Sequence, residues 1–89
     1  MENLLALTKS LTTIPSPTGY TTEIMSFLEE KLGKIGYDTQ KNRKGSLIVT
    51  VPGQNTEQQR FITAHVDTLG AIVRAIKPDG RLKMDLIGG

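Results

Sequence analysis

The first part of the chain carries apolar residues at helical spacing. These residues are Leu4, Leu7, Leu11 and Ile14, with Leu5 widening the stripe. The spacing predicts a short amphipathic helix. The helix must end near Ile14, because Pro15 and Pro17 remove backbone donors and disfavour helical geometry in the residues before them. The residues Ile14–Gly19 then form a stiff loop, which is either a functional loop or a plain connection between helices.

A second helical pattern begins near residues 20–21 and runs to about Ile35. Gly36 follows it and suits the left-handed conformation that commonly ends a helix. Glu30 and Lys34 are spaced to form a favourable ion pair on the polar side of this helix. The predicted apolar face consists of Ile24, Phe27, Leu28, Leu32 and Ile35.

Three stretches in the middle of the chain have the composition of short strands. Tyr37–Gln40 and Ser46–Val51 are separated by a polar turn at Lys41–Gly45. After a polar loop, Phe61–Val66 is predicted to be a short buried strand that runs into a turn ending at Gly70.

The last part of the chain has the pattern of a β-hairpin. Ala71–Ile76 and Arg81–Leu86 flank the turn sequence Lys77-Pro-Asp-Gly80. The helices, the strands and this hairpin together predict an α/β or α+β unit. The second arm alternates, with Leu82, Met84 and Leu86 on one face and Arg81, Lys83 and Asp85 on the other.

The candidate chemistry lies at the end of the predicted strand Phe61–Val66. His65 is the single histidine of the sequence, and Asp67 follows two residues later. Side chains at i and i+2 of a strand project to the same side, so this carboxylate can fix the tautomer and orientation of a metal-bound imidazole. We therefore predict that His65 is a metal ligand and Asp67 its catalytic partner. The plain alternative is a polar residue satisfied at a strand end, since one histidine and one carboxylate make only part of a metal site.

Composition narrows the class of protein without identifying a function. Cysteine is absent, which excludes disulfides and thiolate metal sites and makes a reducing compartment the default. Eleven basic and nine acidic residues give a net charge of +2, and the basic turn lacks interleaved aromatic residues, so no nucleic-acid partner is expected. No signal-peptide pattern and no apolar window of spanning length is present, so we expect a cytoplasmic protein without a membrane partner.

Several segments together resemble a known family over the whole length of the chain. They are Ser16-Pro-Thr-Gly-Tyr20 with the helix after it, Gly45-Ser-Leu-Ile-Val49, and above all Ala64-His-Val-Asp-Thr-Leu-Gly70. The sequence resembles the start of the M42 metallo-aminopeptidases, whose members include glutamyl and deblocking aminopeptidases and some proteins labelled endoglucanase. The His-x-Asp-x-x-Gly element behind an apolar strand is the specific part. Thr68 stands where many members carry an acidic residue, which leaves the subgroup and the preferred N-terminal residue open.

The resemblance implies a hydrolase with two divalent metal ions, zinc or cobalt, acting on peptide substrates. It assigns metal ligation to His65 and the orientation of that histidine to Asp67. It also implies an α/β fold in which residues 1–70 are the N-terminal part of a phosphorylase/hydrolase-like, three-layer zinc-peptidase domain. Residues 71–89 would then be the first β-hairpin of an inserted β-rich dimerisation domain, and the complete enzyme would be a homo-oligomer.

The sequence ends at Leu86-Ile-Gly-Gly89 without a polar tail, and family members are several times longer. We therefore expect an N-terminal portion that lacks most of the metal ligands, binds no metal tightly and is inactive alone, because a catalytic zinc site needs about three protein ligands. Unpaired sheet edges and apolar faces predict that this portion self-associates.

Two other interpretations remain open at this point. A co-catalytic metallo-deacylase or carboxypeptidase of the same clan would carry the same His-x-Asp element. A small non-catalytic α/β interaction module would instead use its hairpin, Ala71–Leu86, to add a strand to a partner.

Overall fold

A computed structural model describes residues 2–88 and contains two helices and four strands over that range. Helix α1 is Glu2–Thr13 and helix α2 is Thr22–Ile35. Both helices agree with the periodicity, and α1 ends just before the first of the two prolines, as predicted. The strands are β1 (Thr39–Lys41), β2 (Leu47–Val49), β3 (Gly70–Ile76) and β4 (Leu82–Ile87).

The C-terminus of α2 closes in a Schellman motif. Gly36 has a φ of 105°, and its amide donates to the carbonyl of Gly33 at 3.1 Å. The amide of Tyr37 reaches back to the carbonyl of Leu32 at 3.0 Å. These bonds satisfy carbonyls that the last helical turn would leave unpaired, which is why a glycine is needed at this position. The predicted Glu30–Lys34 pair on the same helix is confirmed at 3.2 Å.

Strands β1 and β2 form an antiparallel pair with Gln40 opposite Ile48. The turn between them is organised by Asn42, whose side-chain oxygen accepts from the amides of Lys44 and Ser46, both at 3.0 Å. Such a side-chain bond to nearby amides is typical of turn-forming asparagine. The prediction of two short strands joined by a polar turn is confirmed, with strands shorter than the sequence suggested.

Strands β3 and β4 form the predicted C-terminal hairpin. The antiparallel register runs from Gly70 opposite Ile87 to Ile76 opposite Leu82 and is interrupted between Val73 and Ala75. This irregularity is a β-bulge at the residue between them. That residue, Arg74, forms an exposed ion pair with Asp85 at 3.3 Å.

The prediction of a buried strand at Phe61–Val66 is wrong for this structure. These residues adopt no regular secondary structure, and the side chains of Phe61 and Ile62 are 84% and 97% exposed. A strand requires hydrogen-bonding neighbours, and within residues 2–88 the strand pairs are confined to β1–β2 and β3–β4. The segment therefore has the apolar composition of a strand but no neighbouring strand to pair with in the described residues.

The chain divides into two compact units. One contains the residues up to Ile24 together with those from Val66 onward, and the other contains Met25–His65. In the first unit, Ile24 and Ser16 are both fully buried, and Ile24 is the one hydrophobic residue in the described range that reaches this burial. No helix within residues 2–88 is both long enough and apolar enough to cross a bilayer.

Candidate functional site

The loop between the helices contacts the segment that follows His65. Ser16 is fully buried, and its hydroxyl donates to the carbonyl of Val66 at 2.8 Å. The carbonyl of Ser16 accepts from the amide of Thr68 at 2.9 Å, and Pro17 and Thr68 form a parallel β-bridge. Ser16 is thus bonded to the residues on both sides of Asp67, so the backbone that carries this carboxylate is held in a fixed register.

A close backbone approach completes this contact. A Cβ atom added at Gly70 would lie 2.5 Å from the Cβ of Pro17, a separation that side chains do not tolerate. Gly70 is therefore required for packing and not only for a turn, as its place in the sequence had suggested.

The carboxylate of Asp67 accepts a hydrogen bond from this loop. The hydroxyl of Thr18 donates to Oδ2 of Asp67 at 3.0 Å. Thr18 lies in a tight turn in which the amide of Tyr20 donates to the carbonyl of Pro17 at 2.8 Å. Gly19 has a φ of 88°, the value that a type II turn requires at its third residue. The donor to Asp67 therefore comes from a turn whose backbone is itself fixed.

His65 lies at the end of the irregular segment that replaces the predicted strand. Its side chain is exposed, and so is that of Asp67. The imidazole is therefore not enclosed in apolar packing. The two residues fall on opposite sides of the division between the compact units. The predicted pairing of His65 with Asp67 stays a prediction.

No group of three or more histidine, cysteine, aspartate or glutamate side chains that could hold a metal ion occurs within residues 2–88. An imidazole nitrogen and a carboxylate are suitable ligands for zinc or cobalt, so His65 and Asp67 have the right chemistry for part of such a site. They are too few to complete one.

Reasoning from the sequence missed the roles of Ser16, Thr18 and Thr68. The stiffness of Ile14–Gly19 fitted both a linker and a functional loop, and the structure bonds this loop to residues 66–68. The available signal was a serine between two prolines and a threonine between a proline and a glycine. The separation of 50 residues between Ser16 and Val66 leaves no trace in local periodicity.

Comparison with known proteins gives concordant results. The family model described as M42 glutamyl aminopeptidase matches residues 45–89. The chain is 54% identical over 89 residues to the Bacillus subtilis protein named "Putative aminopeptidase YhfE", covering 100% of this chain and 26% of that protein. It is 28% identical over 82 residues to the glutamyl aminopeptidase of Lactococcus lactis, covering 91% of this chain and 23% of that protein.

The family model describes a class of peptidases and covers half of the chain. The chain belongs to the M42 family of aminopeptidases. It spans about a quarter of the length of the curated relatives it matches.

Proposed function

We propose that this chain is the N-terminal part of a metal-dependent aminopeptidase that removes residues from the free N-terminus of peptides. The family membership and the names of both relatives support peptidase activity. The structural observation that carries the proposal is the hydrogen bond from Thr18 to Asp67, two residues beyond an exposed histidine. A carboxylate held on a fixed backbone is what the orientation of a metal-bound histidine requires.

In the proposed site, His65 is a metal ligand and Asp67 orients its imidazole. A pair of divalent ions, zinc or cobalt, supplies an activated water and polarises the peptide carbonyl when bound. Asp67 would accept a hydrogen bond from the N–H of the imidazole nitrogen that does not ligate the metal, which would set the tautomer and raise the basicity of the ligating nitrogen.

We propose that the remaining ligands come from residues outside this chain, whose described part contains no group of three metal-binding side chains. We propose that the 89-residue chain alone binds no metal tightly and is inactive. The relatives are about four times longer than the aligned chain, which leaves ample sequence for the other ligands.

The finer architecture belongs to the same proposal. Residues 1–70 are assigned to a phosphorylase/hydrolase-like three-layer catalytic domain, and the hairpin from residue 71 begins an inserted dimerisation domain. The exposed apolar residues of that hairpin, with Leu86 at 89% and Ile76 at 74%, support burial against a further element or another subunit. The complete enzyme is proposed to be a cytoplasmic homo-oligomer.

The test uses the full-length protein from the native gene with a panel of aminoacyl p-nitroanilides. Activity should be lost on dialysis against a chelator and return with zinc or cobalt. Peptides with an acetylated N-terminus should resist cleavage, because an aminopeptidase needs the free amine. Release of an acyl group or of a C-terminal residue would instead support a deacylase or a carboxypeptidase.

The variant His65→Ala should lose one equivalent of bound metal and more than about 100-fold in kcat/KM, because changes behind a ligand already cost about 10–100-fold. Gln58→Ala, in the exposed loop before the segment, is the matched control and should keep wild-type metal content. Equal activity of the two variants would show that His65 is not a metal ligand.

A further inference from the structure

The loop Ser16–Gly19 has a role that goes beyond connecting two helices. We propose that Thr18 is a positioning residue that orients the carboxylate of Asp67, an inference that rests on the proposed peptidase function. Its hydroxyl donates to Oδ2 of Asp67 at 3.0 Å. A hydrogen bond to an ionised carboxylate is about twice as strong as one between neutral groups.

The donor is rigid because its backbone is constrained from both sides. On one side, the fully buried Ser16 bonds to Val66 and Thr68. On the other, the bond from Tyr20 to Pro17 closes the turn that carries Thr18. The hydroxyl and the carboxylate therefore sit on segments with a defined register, and the bond between them selects one orientation of the Asp67 side chain.

This orientation has a chemical consequence. A hydrogen bond from Thr18 to one oxygen restricts rotation of the carboxylate, which favours certain directions in which it can accept a further hydrogen bond. In the proposed site Asp67 orients the imidazole of His65, so a rotated carboxylate would misorient this metal ligand. Thr18 would thus act on the metal through two intervening side chains without contacting the substrate.

A purely structural role for the Thr18 bond is the competing explanation. The hydrogen bonds of the Ser16 hydroxyl and carbonyl already attach the loop to the segment around Asp67, and they do not depend on the Thr18 side chain. Removal of the Thr18 hydroxyl should therefore leave the loop in place. The two explanations differ in whether the effect of the substitution requires Asp67.

The experiment is a double-mutant cycle in the full-length protein loaded with zinc. Thr18→Val removes the donor while keeping the side-chain shape, and Thr18→Ser restores a hydroxyl. Thr13→Val is the matched control, because the Thr13 hydroxyl donates within its own helix, to the carbonyls of Lys9 and Ser10. We measure kcat, KM, the thermal midpoint, and zinc affinity by competition with a chromophoric chelator.

Thr18→Val should lower kcat about tenfold and weaken zinc binding by about tenfold, the lower end of effects seen for groups behind a metal ligand. KM should stay within twofold, and Thr18→Ser should recover most of the loss. In an Asp67→Ala background, Thr18→Val should have no further effect. An equal loss in both backgrounds, a loss that follows the thermal midpoint, or a Thr18→Val variant identical to Thr13→Val would overturn the role of Thr18.

The same measurements distinguish a failure of the peptidase proposal from a failure of the role proposed for Thr18. A wild-type protein that neither cleaves aminoacyl substrates nor binds zinc would refute the peptidase proposal and the role of Thr18 with it. A wild type that does both, with unaffected Thr18 variants, would refute only the positioning role.

Discussion

Pro17 and Gly70 approach so closely that the glycine has no room for a side chain. A Cβ at position 70 would lie 2.5 Å from Cβ of Pro17 and 3.4 Å from its Cγ. Gly70 also begins β3, opposite Ile87. The segment after Asp67 is therefore held by the loop on one side and by the hairpin on the other.

Gly70→Ala should destabilise the protein by about 1–3 kcal/mol, the usual cost of forcing extra volume into a packed contact. The atom that it meets belongs to a proline ring and cannot rotate away. Chemical denaturation of the full-length protein measures the change in the free energy of unfolding. Gly53→Ala is the control, because a Cβ at position 53 has nothing within 4 Å. Equal stabilities of the two variants would show that the loop containing Pro17 moves away from residue 70 without a loss of stability.

Ser16→Ala should destabilise the protein by about 1–3 kcal/mol, because it removes a buried donor and leaves the carbonyl of Val66 without that partner. Replacement of Ser26, an exposed residue of α2, by alanine is the control. The control should be neutral or slightly stabilising, because alanine is the better helix former. If Ser16→Ala melts at the wild-type temperature, the hydroxyl has no part in holding the segment.

Replacement by alanine should have opposite effects on stability at Gly33, inside α2, and at Gly36, just after its end. Gly33 lies inside the helix with nothing within 4 Å of an added Cβ, so Gly33→Ala should stabilise by about 0.5–1 kcal/mol. Gly36 has a φ of 105°, so Gly36→Ala should destabilise by about 1 kcal/mol or more. Thermal denaturation with circular dichroism compares both variants with wild type. Two shifts of the same sign would be inconsistent with the cap geometry.

The elements predicted correctly are those whose determinants are local. The apolar spacing of α1 and α2, the stop at Pro15 and the cap at Gly36 act within one or two helical turns. The C-terminal hairpin is likewise specified by alternation around a short turn, and the structure confirms it. The bulge at Arg74 was not predicted, since nothing in the alternating pattern marks an extra residue.

The parts that were missed depend on residues far apart in sequence. The segment Phe61–Val66 has the composition of a buried strand, but composition does not provide the neighbours that a strand must pair with. The bonds of Ser16 to Val66 and of Thr18 to Asp67 join positions about 50 residues apart. His65 and Asp67 were singled out by their spacing at the end of an apolar stretch, and the family resemblance then supported that prediction. The residues that hold Asp67 carry no comparable local signal.

The isolated 89-residue chain should self-associate through its hairpin. Leu86 is 89% exposed and Leu82 and Met84 are about half exposed, so one face of β4 presents apolar surface. Its outer edge pairs with no further strand within residues 2–88. Sedimentation velocity should show species larger than a monomer at micromolar concentration. Leu86→Lys should shift the distribution toward the monomer, because burial of a charge opposes association.

The matched control for this prediction is Thr50→Lys. It adds the same charge at an exposed position just after β2, outside the hairpin. A general effect of net charge would dissociate the oligomer in both variants, whereas association through β4 would be weakened by Leu86→Lys alone. A wild-type chain that sediments as a monomer at all concentrations would contradict the prediction, because the exposed apolar face would then be stable in water without a partner.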